Sequence, residues 1–443
     1  MNGVPFHVSV ATTVPNPSRT SGSSFEDLGV PSVLTAVLAR RGITNPLPIQ
    51  ARALPDALAG RDVLGRAETG SGKTLAFGLP LLLRVAAQAG RSATQAGGGR
   101  AAQPGGRSAA EAGGGRAGRS SRTRPSALVL VPTRELARQV HDELVPLARA
   151  LGLRMLAVYG GASMRTQVQA LRRGVDVVVA TPGRLTDLLG QGACSLDAVG
   201  ITVLDEADHM ADMGFLPAVT WLLDRVPSAG QRLLFSATLD NGVDVLVRRY
   251  LTDPVHHAVG PAVGGVARTD HRFVEVTALD KVAVAAELAA SSGRVLLFVR
   301  TRHGAARLAR QLGRAGIAAG ALHGDMAQHA RERALAAFAT GRTPVLVATD
   351  VAARGIHVEG VDLVVQFDPP AEAKAYLHRS GRTARAGAAG SVVTLVLPEQ
   401  AADVAELRRR AGVAGAGRAG SAAGRPGGAV RRRRPRHRAR GPR

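Results

Sequence analysis

Cysteine is almost absent: Cys194 is the only one in 443 residues. A single thiol excludes an intrachain disulfide framework and a cysteine-based zinc site, and it fits a reducing compartment. Long apolar runs are missing as well. No uncharged stretch approaches the ~18 residues of a membrane-spanning helix, and the first residues lack the basic patch and apolar run of a signal peptide. The expectation is a soluble, cytoplasmic chain with no membrane partner. Lysine is the third scarcity. Only Lys73, Lys281 and Lys374 occur among 57 basic residues, the rest being arginine. A composition biased toward Arg, Ala and Gly accounts for the ratio, but each lysine kept in such a chain is worth inspecting, because the two cations are not interchangeable.

Acidic residues are absent from 408–443, which hold thirteen arginines, and residues 91–124 carry seven arginines against one glutamate. These two segments hold most of the formal charge of +23; without them and residues 1–22, 351 residues with a balance near +3 remain. At roughly 100–200 residues per domain, that length makes two domains, each able to bury a core. A wholly disordered or histone-like protein is thereby excluded. Residues 1–22 read as a flexible lead, 91–124 as a disordered Gly/Arg-rich insertion, 256–270 as a linker and 408–443 as a disordered Arg-rich tail. The two domains are then expected at 23–255 and 271–407.

Short apolar runs alternate with helix-length amphipathic segments. The first series is 127–131, 175–180, 201–204 and 233–235; the second is 273–276, 295–299, 345–348, 361–367 and 392–397. Runs of this length predict buried parallel strands joined by crossover helices, so the fold class is α/β with two tandem parallel sheets flanked by helices. Ligands of such sheets bind beyond the carboxyl ends of the strands. Polar residues do follow the runs: Pro132-Thr133-Arg134, Thr181-Pro182-Gly183-Arg184, Asp205-Glu206-Ala207-Asp208, Ser236-Ala237-Thr238, Arg300-Thr301 and Thr349-Asp350.

The strongest signal is Ala67-Glu68-Thr69-Gly70-Ser71-Gly72-Lys73-Thr74, between an apolar run and a helical one. It has the form of a phosphate loop, whose backbone N–H groups surround a phosphate at a helix N-terminus. Ala67 replaces the usual first glycine. Lys73 is placed to reach the β- and γ-phosphates of ATP and Thr74 to ligate Mg²⁺. Asp205 complements the loop as a Mg²⁺ ligand acting through water, and Glu206 as the group that polarises the attacking water.

With these motifs in order, the chain resembles the DEAD-box ATP-dependent RNA helicases of superfamily 2, in the bacterial type, over residues 25–397. The resemblance implies two RecA-like domains. Phe25 and Gly42-Ile43-Thr44-Asn45-Pro46-Leu47-Pro48-Ile49-Gln50 are similar to the adenine-reading motif, with Phe25 stacking on the base, Gln50 bonding its edge, and Leu47 standing where a Thr is usual. The family's RNA backbone contacts would fall on Pro132, Thr133, Arg134, Gly160, Gly161, Thr181 and Arg184 in the first domain. In the second they would fall on Arg300, Gly324, Gln328, Thr349 and Arg354, with Arg331 in the same group of motifs. Asp208, Ser236 and Thr238 would couple hydrolysis to strand separation. His378-Arg379-Ser380-Gly381-Arg382-Thr383-Ala384-Arg385 implies that Arg382 and Arg385 are arginine fingers. Asp350 and His357 would lie at the nucleotide, His357 replacing an Asp that accepts the ribose hydroxyl and so making ATP affinity pH-sensitive.

The implied activity is RNA-dependent hydrolysis of ATP with local unwinding of short RNA duplexes or remodelling of RNA–protein complexes. An ATP-gated RNA clamp uses the same motifs and remains the alternative, and a DNA helicase is the third reading. The implied partner is RNA bound through its backbone, with ribosome-assembly or RNA-decay proteins as candidate protein partners. The tail run 431–440 has arginines without interleaved aromatics, which suits phosphate attraction rather than base stacking.

Overall fold

Apolar runs buried on both faces form two parallel sheets. In the computed structural model of the chain, residues 23–67, 70–97, 124–239, 241–259, 269–353, 360–384 and 390–413 are described, apart from the side chains of 91–97, 241 and 351. The first sheet comprises β1 (Val63–Arg66), β2 (Ala127–Leu130), β3 (Met155–Val158), β4 (Val177–Ala180), β5 (Ile201–Asp205), β6 (Gln231–Ser236) and β7 (Val255–Ala258), in the order β3-β4-β2-β5-β6-β1-β7. The second comprises β8 (Thr269–Glu275), β9 (Val295–Phe298), β10 (Ala319–Leu322), β11 (Val345–Ala348), β12 (Leu363–Gln366) and β13 (Gly390–Val396), in the order β10-β11-β9-β12-β13-β8. Every pairing is parallel.

Successive strand residues feed opposite faces. Val129, Val179, Val203 and Leu233 pack in one core, while Leu128, Val178, Leu204 and Leu234 pack in another. In the second sheet Leu297, Val347 and Val365 are separated from Leu296, Leu346 and Val364 in the same way. Helices cover both faces, which is why these strands read as unbroken apolar runs. Each fully buried Val or Leu contributes roughly 1.5–3 kcal/mol of transfer free energy, so these layers fix the strand ends that carry the polar motifs.

Apart from β1 at the phosphate loop, the strands outside the apolar series are β3, β7 and β10, and these are edge strands. β10 is Ala-Gly-Ala-Leu and β7 is Val-His-His-Ala, compositions with weak strand preference that an edge tolerates. β7 also corrects a boundary: residues 256–258 belong to the first sheet, so the break between the sheets falls between Val259 and Thr269. The helix Lys73–Gly97 runs into the segment expected to be disordered from residue 91, carried by Arg, Ala and Gln, which favour helix. Residues 98–123 lie outside the described residues. Likewise the helix Ala401–Ala411 includes Arg408, Arg409 and Arg410, expected in the tail. Glu406 pairs with Arg409 and with Arg410, and Arg408 lies 4.5 Å over the Phe273 ring, so docking on β8 orders this turn. Residues 1–22 and 414–443 lie outside the described residues. Among those described, no helix is long and apolar enough to cross a membrane.

Candidate active site at the strand ends

β6 lies between β1 and β5, and the registers set Arg66 beside Ser236 and Asp205 beside Phe235. The loop leaving β1 and the acid pair ending β5 therefore open on one edge of the sheet. Ala67, buried, donates its N–H to the Ser236 carbonyl at 3.1 Å and anchors the start of the loop. Lys73 begins the helix Lys73–Gly97, and its Nζ donates to Glu206 Oε1 at 2.8 Å, with both side chains buried.

The electrostatics of this pair follow from burial and proximity. Burial works against the Lys73 ammonium, but Glu206 and Asp205 outweigh it and hold its pKa above the usual value. Burial would likewise raise the Glu206 carboxyl, but Lys73 and then His209 outweigh it and hold it well below the ordinary carboxylate range. Asp205 goes the other way: burial, opposed by Lys73 and reinforced by Glu206, pushes it up to about 7. A dry carboxyl with a raised pKa beside a hydroxyl residue is a donor set that suits a hard dication, which would return Asp205 to the ionised form. Thr74 and Asp205 both line the cleft. Glu206 itself is left-handed (φ 53°, ψ 49°) at the start of the helix Ala207–Asp212, a conformation costing a non-glycine residue of order 1–3 kcal/mol and typical of functional positions.

The cleft over the loop has a volume of about 300 Å³, at the lower end for small-molecule sites, and brings together Gln50, Gly70, Gly72, Lys73, Thr74, Asp205 and Glu206. Ser71 lies between the two loop glycines. Gln50 Oε1 accepts the Leu47 N–H at 2.8 Å and its Nε2 donates to the Gly72 carbonyl at 2.9 Å, so one amide joins the start of its own helix to the loop. Gly72 has φ +87°, and a Cβ there would strike the Gln50 amide and the Leu47 side chain. Leu47 is exposed at the cleft. Phe25 requires a correction. Its ring is 2% exposed in the core with Leu34 and Leu54 and does not line the cleft, so it has no free face to stack on a base in this structure. Thr69 lies outside the described residues.

Two cleft residues were not found in the sequence. Gln139 and Glu143 both line the cleft from the helix Arg134–Ala150, and Glu143 accepts a hydrogen bond from Thr74. Burial raises the Glu143 carboxyl, with Thr74 and Arg41 opposing. Their i, i+4 spacing behind the Thr133 cap was the available signal.

The coupling residues form a closed network. Ser236 Oγ accepts the Asp208 N–H at 3.2 Å, and Asp208 Oδ2 accepts both the N–H and the hydroxyl of Thr238, at 3.0 and 2.9 Å. His209, absent from the motifs singled out in the sequence, is buried beside them. Its Nδ1 is 3.2 Å from Glu206 Oε2 and its Nε2 is 3.2 Å from Nδ1 of His378 in the second domain.

The other candidates lie farther along the two strand-end edges. Pro132 is buried, and Thr133 caps the helix Arg134–Ala150 by accepting the Leu136 N–H at 3.2 Å. The Arg134 guanidinium lies against Gly160 and Gly161, where a Cβ on Gly161 (φ +84°) would meet it and would lie 3.5 Å from Gln328 Cβ of the second domain. Arg184 donates to the Ala162 carbonyl at 3.0 Å, and buried Thr181 precedes the helix Pro182–Gly190. In the second domain Arg300 and Gly324 are exposed, while buried Thr349 donates its N–H to the Leu322 carbonyl.

In the second domain Arg331 and Asp350 are engaged differently from expectation. Arg331 is buried and committed to Glu135 Oε1 at 2.8 Å and to the His323 carbonyl at 3.0 Å, so it joins the domains. Asp350 is committed to Arg379, at 2.5 and 2.7 Å, and does not line the loop cleft, because the helix Ala373–Ser380 brings this arginine to the strand end. Arg382 is buried, its Nε donating to the His378 carbonyl at 3.3 Å, in a separate small hollow with Phe298 and Arg379. Arg354, His357 and Arg385 lie outside the described residues.

Two parallel-sheet domains with a phosphate-type loop in one and a helix of the other meeting, through His378, the histidine beside its acid pair define a two-domain nucleotide-binding protein of the tandem RecA-like class. The pattern described as DEAD/DEAH box helicase matches residues 47–246, and that described as helicase conserved C-terminal domain matches residues 276–387. An ATP-dependent RNA helicase DBP2 of Scheffersomyces stipitis is 37% identical over 391 residues, covering 87% of this chain and 68% of the relative. DEAD-box ATP-dependent RNA helicase 30 of Arabidopsis thaliana is 38% identical over 398 residues, with 89% of this chain and 62% of the relative covered. S. cerevisiae Dbp5, solved bound to RNA and ADP BeF3, superposes with a TM-score of 0.71 at 26% identity, over 88% of this chain and 93% of that one. The chain belongs to the DEAD-box helicase family. It spans about half to two thirds of the length of several curated relatives. These relatives are plant and yeast proteins and give no support to the bacterial assignment.

Proposed function

We propose that the chain is an ATP-dependent RNA helicase that hydrolyses ATP to ADP and phosphate and uses the cycle to separate short RNA duplexes or remodel RNA–protein complexes. The observation that carries this reading is the buried Lys73–Glu206 pair at the loop, with His378 of the second domain 3.2 Å from His209, whose other ring nitrogen is 3.2 Å from Glu206. ATP drawn to Lys73 would free Glu206 Oε1 to orient the attacking water. Arg382 and Arg385, carried on the same second-domain segment as His378, are the proposed arginine fingers, and hydrolysis then requires the domains to be together. Mg²⁺ would be held by Thr74 and Asp205 and would neutralise phosphate charge.

RNA is the proposed polymer, bound through its backbone along Thr133, Arg134, Gly160, Gly161, Thr181 and Arg184 and the facing edge around Arg300, Gly324, Gln328, Thr349 and Arg354. RNA and ATP both favour the closed pair, so each raises affinity for the other. Cytoplasmic location and ribosome-assembly or RNA-decay partners belong to the same proposal. Its test is ATPase activity with and without RNA in wild type and Glu206→Gln. Strong stimulation by RNA and its loss in the variant are expected; an ATPase indifferent to RNA would overturn the reading. Multiple-turnover unwinding, compared with persistence of an RNA complex on a non-hydrolysable nucleotide, separates a helicase from an RNA clamp. Loading strands of RNA and DNA separate it from a DNA helicase.

A further inference from the structure

A line of three side chains crosses the domain boundary at the acid pair. Glu206 divides its carboxylate oxygens: Oε1 accepts from Lys73 at 2.8 Å, and Oε2 lies 3.2 Å from His209 Nδ1. The opposite nitrogen of the same buried ring, Nε2, is 3.2 Å from His378 Nδ1, the two imidazoles meeting edge to face with centroids 4.6 Å apart. An ionised carboxylate only accepts, so Nδ1 of His209 carries the proton that faces it. The other nitrogen, Nε2, shares one proton with His378 Nδ1 across the boundary, the donor being set by the tautomers of the two rings. One imidazole therefore lies against Glu206 with one nitrogen, in a 3.2 Å charge contact outside hydrogen-bond alignment, and is itself held by the second domain through the other.

We infer that His209 is a positioning residue that fixes the orientation of the Glu206 carboxylate when His378 of the second domain is docked against it. The inference rests on the ATPase reading above. Phosphate binding draws Lys73 away from Oε1, whereas nothing in that step competes for Oε2, so His209 keeps its hold while Oε1 turns to water. Glu206 sits at a left-handed backbone position, where the carboxylate depends on such partners for its direction. Separation of the domains removes His378, frees the His209 ring to rotate and loosens the carboxylate. The second domain thus contributes to water orientation through a path distinct from the arginines.

The test uses the full chain, measuring kcat, KM for ATP and nucleotide affinity at saturating RNA. An Asn amide nitrogen falls where His Nδ1 lies, and a Gln amide reaches the position of Nε2, so His209→Asn keeps the Glu206 side and His209→Gln keeps the His378 side. Misplacement of a reacting group by about 1 Å can cost a hundredfold, so both variants should lower kcat by about tenfold or more with KM changed less than about twofold. His378→Ala should show the same split. Adding it to His209→Asn should cost nothing further, and His378→Asn, whose amide can donate or accept where Nδ1 lies, should recover most of the loss. Unchanged kcat in both His209 variants, or losses that multiply in the double variant, would overturn the inference. If the His209 variants fail to fold, the His378 pair decides by itself: equal kcat in His378→Ala and His378→Asn overturns it. An RNA-stimulated wild type with unaffected variants sinks this inference alone, while a wild type without RNA stimulation sinks the functional reading as well.

Discussion

Lys73 and Glu206 stabilise each other because each would be expensive to bury alone. Both side chains are about 5% exposed or less, and removing one partner of such a pair costs about 3–5 kcal/mol by stranding the other charge. Lys73→Met should therefore lower the denaturation free energy as well as abolish nucleotide binding, and Lys73→Met/Glu206→Gln should recover stability without recovering binding. Equal stability of the single and double variants in urea titrations would contradict this. His378 provides a pH prediction at the same scale. Burial pushes its pKa down to about 4, with His209, Lys374 and Arg382 acting in the same direction and Asp208 opposing. A depressed pKa means the neutral ring is favoured in the folded state, so its contribution is complete above the unfolded value near ~6.5 and is lost as pH falls through about 4. Thermal melts of the wild type from pH 7 to 4 should fall more steeply than those of His378→Asn, which takes up no proton there; parallel curves would refute the assignment.

At the scale of elements, the helix Arg134–Ala150 connects the two halves of the site. Its first residues face the second domain through Glu135 and Arg138, and its middle carries Gln139 and Glu143 to the loop cleft. Thr133, expected to touch RNA, caps this helix, and losing the cap should cost about 1 kcal/mol. Thr133→Ala should show that loss in denaturant unfolding and Thr133→Ser should not, whatever either does to RNA affinity. The edge strands show why part of the fold escaped pattern reading. A central strand such as β4, Val-Val-Val-Ala, is apolar because both its faces are covered, whereas β7 contains His256 and His257 and is fixed by pairing to β1 and by the His257–Asp56 contact at 2.8 Å.

At the scale of the whole molecule, contacts that join the domains among the described residues include Arg331 to Glu135 at 2.8 Å, Arg138 to Glu332 at 2.6 Å, Lys374 to Asp212 at 2.8 Å, and the histidine pair. Arg331 and Glu135 are the most buried of the ionic contacts, with side chains 8% and 9% exposed. Arg331→Glu should weaken RNA-stimulated ATPase by an order of magnitude or more, roughly the 1.4 kcal/mol of a tenfold change, and Glu135→Arg/Arg331→Glu should restore part of it. No restoration would mean that Arg331 acts on RNA directly. The excess positive charge belongs to this scale too. Ending the chain after Val413 removes the remaining tail arginines, and each lost phosphate contact to single-stranded RNA should flatten the salt dependence of affinity by about 0.7 in slope. An unchanged slope would remove the tail from RNA binding.

The order of the motifs, their positions after apolar runs and the lysine at residue 73 were determined by the sequence, because periodicity and local chemistry are properties of neighbours along the chain. From them followed the α/β class, the two sheets, the phosphate loop and the acid pair. Partners far apart in the chain were decided only by tertiary structure. Residue 206 lies against residues 73 and 209, residue 209 against residue 378, and residue 331 against residue 135. Tertiary contacts reassign roles that the resemblance implied: burial takes Phe25 into the core, and pairing takes Asp350 to Arg379. A residue's chemistry is legible where it stands, but its role depends on which groups exclude water from it, and that is set by the packing of the two sheets.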